Sequence, residues 1–131
     1  MKIIIILLLL SPAFTKKIPQ QVFDVWIPLV EPHLPHCSEL SNANVTEIKN
    51  MLRLMHVPNN PEFHNYIKCI YEKLGFLKPD GNFSESAILR KATYMTSELT
   101  RHCILKADSE KNLPKKSYIL CDCVVNGLIE E

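Results

Sequence analysis

Cysteine and histidine carry the widest chemical repertoire in this chain, and there are five of each. The cysteines are Cys37, Cys69, Cys103, Cys121 and Cys123; the histidines are His33, His36, His56, His64 and His102. Such a set could form disulfides, hold zinc, or supply a thiol nucleophile beside a histidine base. Zinc sites repeat characteristic spacings. Cys121-x-Cys123 beside the single pair His102-Cys103 does not match them. Nothing around Cys121 resembles a nucleophile elbow, and the paired carboxylates Glu130-Glu131 lie at a frayed end. No metal, no cofactor and no enzyme is expected. An odd number of cysteines leaves at least one unpaired within a monomer, and spacing alone does not give the connectivity. The histidines could titrate near pH 6–7, but each reads first as a solvated surface group.

Disulfides need an oxidising compartment, and the start of the chain points to one. Met1-Lys2 is followed by the unbroken apolar run Ile3 to Leu10, then Ser11-Pro12, with small residues Ala13 and Thr15 at a −3/−1 spacing. This reads as a secretory signal peptide over residues 1–15, cut after Thr15. The run is shorter than the roughly 20 residues of a membrane span. Residues 16–131 then form one secreted, extracellular domain. No second long apolar stretch follows, so membrane insertion is not expected. The formal net charge is +1, with no basic block, which argues against nucleic acid as a partner. Asn44-Val45-Thr46 and Asn82-Phe83-Ser84 are glycosylation sequons.

The elements that must position the cysteines read as helices. Glycine is rare, with three in the chain, and apolar residues recur three and four apart. Val22, Phe23, Trp26, Ile27 and Val30 share one side of a first helix, which Pro28 should kink or end. Pro32 and Pro35 are expected to keep the chain irregular up to Cys37. Asn44 or Thr46 could cap a helix from Val45 to Met55, and Pro61 suits the first turn of one whose face is Phe63, Tyr66, Ile67, Ile70 and Leu74. Gly75 is a good stop, and Lys78-Pro79-Asp80-Gly81 a tight turn. Ser84 to Lys106 is one helix or two, broken near Thr96-Ser97. Lys115 to Ile129 is apolar almost all round and should run through the middle of the bundle. The expected fold is all-α, a compact bundle of about six short helices.

With these elements in place, the chain resembles the insect odorant-binding proteins. Lys73-Leu74-Gly75-Phe76-Leu77 with a following Asp-Gly is similar to a phrase found just after that family's third cysteine, so Cys69 looks like the third. Three residues separate the family's second and third cysteines, which places the second at Asn65. Cys123 looks like the sixth, and eight intervening residues place the fifth at Pro114. The family pairs first with third, second with fifth and fourth with sixth. The two absent cysteines are partners in one bridge, and random loss would rarely remove a matched pair. The chain thus looks like a C-minus, four-cysteine member. The resemblance implies bridges Cys37–Cys69 and Cys103–Cys123, with Cys121 a free thiol. Absence of the middle bridge should leave the third and last helices freer to move apart, hence a softer pocket, more responsive to ligand, than in a three-bridge relative.

For function, the resemblance implies an internal hydrophobic cavity that carries an odorant, a pheromone or a related lipid through aqueous fluid, with a role in olfaction. The candidate lining is Leu52, Met55, Tyr66, Ile70, Leu74, Phe76, Phe83, Ile88, Met95, Leu99, Tyr118, Val124 and Leu128. Met55 and Met95 would adapt the wall to several shapes; Tyr66 or Tyr118 could hydrogen-bond a ligand alcohol or carbonyl. A membrane chemoreceptor is a further implied partner, and the oligomeric state expected is a monomer or weak homodimer. Eight residues follow Cys123, too few for the long C-terminal plug some relatives use. The alternative reading is a secreted effector, of venom or salivary type, using the same fold to bind a protein.

Overall fold

The computed structural model describes residues 15–130; the expected signal peptide, up to its last residue, lies outside the described residues. Among the described residues there are seven α-helices: α1 Gln20–Val30, α2 Leu34–Ser41, α3 Val45–Leu54, α4 Pro61–Lys73, α5 Glu85–Lys91, α6 Ser97–Ala107 and α7 Leu113–Leu128. Among the described residues the only strand-like pairings are two isolated bridges, Lys17 with Glu130 and Leu77 with Phe83.

Local chemistry explains most of the boundaries. Asn44, Asn60, Ser84, Thr96 and Asn112 each accept a hydrogen bond from the backbone N–H three residues on, at 2.8–3.1 Å. Each therefore satisfies an N–H that the first helical turn leaves without an internal partner. Thr96 starts α6 as a separate helix, so the stretch from Ser84 to Lys106 is two helices joined by an Ala92–Thr96 connection. Asn112 starts α7 two residues earlier than periodicity indicates, and Pro114 falls in its first turn.

The seventh helix comes from a stretch that proline content marks as irregular. Pro35 sits in the first turn of α2, where its missing N–H costs nothing. Pro28 lies inside α1, which still continues to Val30, and Glu31 N–H donates to the Ile27 carbonyl at 3.0 Å. Two left-handed residues then turn the chain. Asn42 (φ 60°) ends α2, and Met55 (φ 52°) ends α3, where His56 N–H reaches back to Met51 O at 3.0 Å.

The turn at residues 78–83 closes as its composition directs. Gly81 takes φ 88°, and its N–H donates to Lys78 O at 2.9 Å. Lys116 anchors this turn to α7. It is buried, its Nζ donates to Gly81 O at 2.7 Å, and its ammonium lies 5.5 Å from the Phe83 ring centre. That cationic hold on an aromatic face and a carbonyl accommodates a lysine inside the core.

α7 is the organising element, packed against α4 on one side and α6 on the other. Ser117, Leu120, Cys121, Cys123 and Val125 are buried in these contacts, whereas Asn126 and Gly127 reach solvent. A methyl group on Gly127 would meet the end of the Leu99 side chain, which would have to shift to admit it. Two disulfides fasten the bundle. Cys37–Cys69 joins α2 to α4 with Cα atoms 5.6 Å apart, and Cys103–Cys123 joins α6 to α7 at 5.5 Å. Among the described residues no helix is long and apolar enough to cross a membrane.

Candidate functional site

A cavity of about 520 Å³ lies among the first four helices. α1 contributes Phe23, Trp26, Ile27 and Val30, at the i, i+3, i+4, i+7 spacing that puts them on one face. Leu34 and Pro35 come from α2; Ile48, Met51 and Leu52 from α3; Phe63, Tyr66 and Ile67 from α4. The i, i+3, i+4 pattern recurs in the last two. Glu31 and Lys49 bring the charges to this wall, and both are solvent-exposed. The interior is otherwise apolar, with one buried phenol, Tyr66, whose ring lies 5.7 Å from that of Phe63. Burial pushes the Tyr66 phenol up, so it stays neutral and able to donate.

Two small voids of about 30 Å³ each adjoin this cavity, sharing Trp26 with its wall. The first is bordered by Trp26, Tyr71, Phe76, Ile88, Ala92, Tyr94, Met95, Thr100, Leu120 and Val124. The second adjoins Val22, Trp26, Met51, Leu52, Tyr71, Tyr94, Cys121, Val124, Val125 and Leu128.

The residues nominated from sequence distribute unevenly over these spaces. Leu52 and Tyr66 line the large cavity. Phe76, Ile88, Met95 and Val124 border the first void, and Leu52, Val124 and Leu128 the second. Ile70, Leu74 and Phe83 belong to the closed core. Met55 is the left-handed cap of α3, and Leu99 lies over Gly127. Tyr118 is half-buried, its ring 4.7 Å from that of His64. This contact joins α4 to α7 beside the positions, Asn65 and Pro114, where the resemblance places the absent bridge. Burial, followed by nearby Lys115, lowers the His64 imidazole below its usual range against the opposing pull of Glu62.

The faces of α1, α3 and α4 that line the large cavity are visible in the sequence as apolar stripes, whereas α2, which adds Leu34 and Pro35, is not. What sequence reasoning missed is which portion of each stripe faces empty space. The α1 stripe went unnominated altogether, although its spacing was the available signal.

Cys121 is the free cysteine, and it is buried against Met51, with the two sulfurs 3.9 Å apart. Burial pushes its thiol up to about 12, a hydrogen bond from Tyr71 opposing only in part. A thiol held protonated and out of reach is neither a nucleophile nor a ready cross-linker. In the folded protein a thiol-reactive disulfide reagent is expected to detect no thiol within minutes, and one equivalent after denaturation. Rapid labelling of native protein would show that this part of the core opens. Both sequon asparagines, Asn44 and Asn82, are exposed.

A family model described as the PBP/GOBP family matches residues 29–126, well over half of the chain. No curated protein and no solved structure matches the chain. The matched segment begins at Leu29, so Phe23, Trp26 and Ile27 of the cavity wall precede it.

Proposed function

Because the chain belongs to the PBP/GOBP family, the insect odorant-binding proteins, which are carriers of small hydrophobic ligands, we propose that it is a secreted carrier. Its cargo is one small apolar molecule, such as an odorant, a pheromone or a related lipid, held among α1–α4 and moved through aqueous fluid. The observation that carries this reading is the apolar cavity itself. Its volume of about 520 Å³ falls in the range of about 300–1,000 Å³ usual for small-molecule sites.

The energetics suit reversible carriage. Burying about 300 Å² of ligand apolar surface is worth about 7.5 kcal/mol at 25 cal/mol per Å². Ordering costs reduce that sum, so dissociation constants near or above the micromolar range follow. Neutral Tyr66 offers the wall a hydrogen-bond donor without the penalty of a buried charge. The olfactory role and a chemoreceptor partner form part of the same proposal and are supported by the family alone.

Trp26 is the sole tryptophan and borders the cavity, so it reports occupancy directly. Titration with an apolar naphthylamine dye should change Trp26 emission saturably, at one dye per chain, and an aliphatic competitor should displace the dye. A dye that never saturates, or saturates without altering Trp26, would remove the support for carriage in this cavity.

A further inference from the structure

Trp26 borders the large cavity and both small voids, so its side chain stands where the three spaces meet. Its ring meets Tyr71 edge-on, with centroids 6.4 Å apart. Behind it stands Thr100, which borders the first void and is 1% exposed. Among the described residues, Thr100 Oγ1 is the one fully buried side-chain oxygen or nitrogen with no hydrogen-bond partner. A helical threonine can ordinarily direct its hydroxyl to the carbonyl four residues back. Here the Thr96 carbonyl takes the Thr100 backbone N–H at 3.0 Å, and the hydroxyl does not reach it. Native proteins rarely leave a buried polar atom unpaired, and the exceptions call for an explanation.

We propose that the Thr100 hydroxyl is the polar anchor of an inner compartment of the ligand site, opened when the Trp26 side chain swings aside. The ligand is then an elongated apolar molecule with one neutral oxygen, an alcohol or a carbonyl, at its leading end. This rests on the carrier reading and specifies its ligand class. The void behind Trp26 has room for little more than a water molecule, so displacement of the indole supplies the space for a ligand terminus. The residues around it include no lysine, arginine or histidine, so a carboxylate would be buried there without a counter-charge. Tyr71 and Tyr94 share the same void, and burial raises both phenols, which keeps them neutral beside the ligand oxygen. Lys49, the cation of the large cavity, does not border this void.

The test is calorimetric titration of the mature protein and of Thr100→Val with three ligands on one carbon skeleton: a hydrocarbon, a terminal alcohol and a carboxylate. Thr100→Val replaces the hydroxyl by a methyl group of the same shape. The expected result is that the ratio of alcohol to hydrocarbon affinity falls about tenfold in Thr100→Val, with hydrocarbon affinity unchanged. Thr100→Ser should restore the ratio. The carboxylate should be insensitive to all substitutions at this position. The valine variant should also melt no lower than the parent, since an unpaired buried hydroxyl has been removed. An unchanged ratio, or an equal loss for alcohol and hydrocarbon, would overturn the inner compartment while leaving the carrier reading intact. Failure of all three ligands to bind the parent would overturn both.

Discussion

Replacing Cys37 and Cys69 together by alanine should lower the unfolding free energy by about 4 kcal/mol and weaken binding of an apolar dye at least tenfold. The stability part follows from chain entropy. The bridge closes a loop with a sequence separation of 32 residues, and freeing that loop in the unfolded chain is worth about 3.7 kcal/mol. Against a typical domain stability of about 5–15 kcal/mol this is a large fraction. The binding part follows from position. The bridge ties α2, which supplies Leu34 and Pro35, to α4, which supplies Phe63, Tyr66 and Ile67 of the same wall. Removing Cys103 and Cys123 should cost about 3 kcal/mol for a separation of 20 residues. That bridge clamps α6 to α7, outside the large cavity, so dye affinity should change much less. Denaturant unfolding and dye titration of the two double variants separate these effects. Equal losses of affinity would contradict the placement of the ligand among α1–α4.

Substitution of Val30 by phenylalanine carries the second large effect, a loss of ligand affinity of more than tenfold without a loss of stability. Val30 is buried at the end of α1, and it borders the large cavity but neither small void. A larger side chain there grows into empty space instead of into packed neighbours. Overpacking a filled core destabilises, whereas filling a void adds apolar burial. Leu105→Phe is the control, since Leu105 is 72% exposed and borders none of the internal spaces. Dye titration and thermal unfolding of both variants measure the difference. A Val30→Phe protein that binds as well as the parent would place the ligand elsewhere.

The helices were legible because their signals are local. Asn44 is a cap candidate beside Thr46, Ser84 opens a helical stretch, Pro61 and Gly75 bracket α4, and the apolar stripes repeat at helical spacing. Leu34–Ser41 was hidden because proline reads as a breaker until its position within the first turn is known. The two cross-links follow from likeness to a family and not from spacing, which allows any pairing. The cavity was the least legible feature. Tyr66 and Ile70 lie on one stripe of α4, yet Tyr66 faces open volume and Ile70 the closed core. That difference arises from how four helices diverge, and no single stripe contains it. Thr100 was equally invisible, since an unpaired hydroxyl is a property of its surroundings and not of the residue type.

The most direct test of ligand carriage among α1–α4 is methyl NMR of the mature protein during titration with an apolar ligand. The expected result is saturable shifts at Val30, Ile48, Leu52 and Ile67, with Leu40 and Leu105 unmoved. Shifts confined to the exposed leucines, or no saturable shift at the four cavity positions, would contradict it.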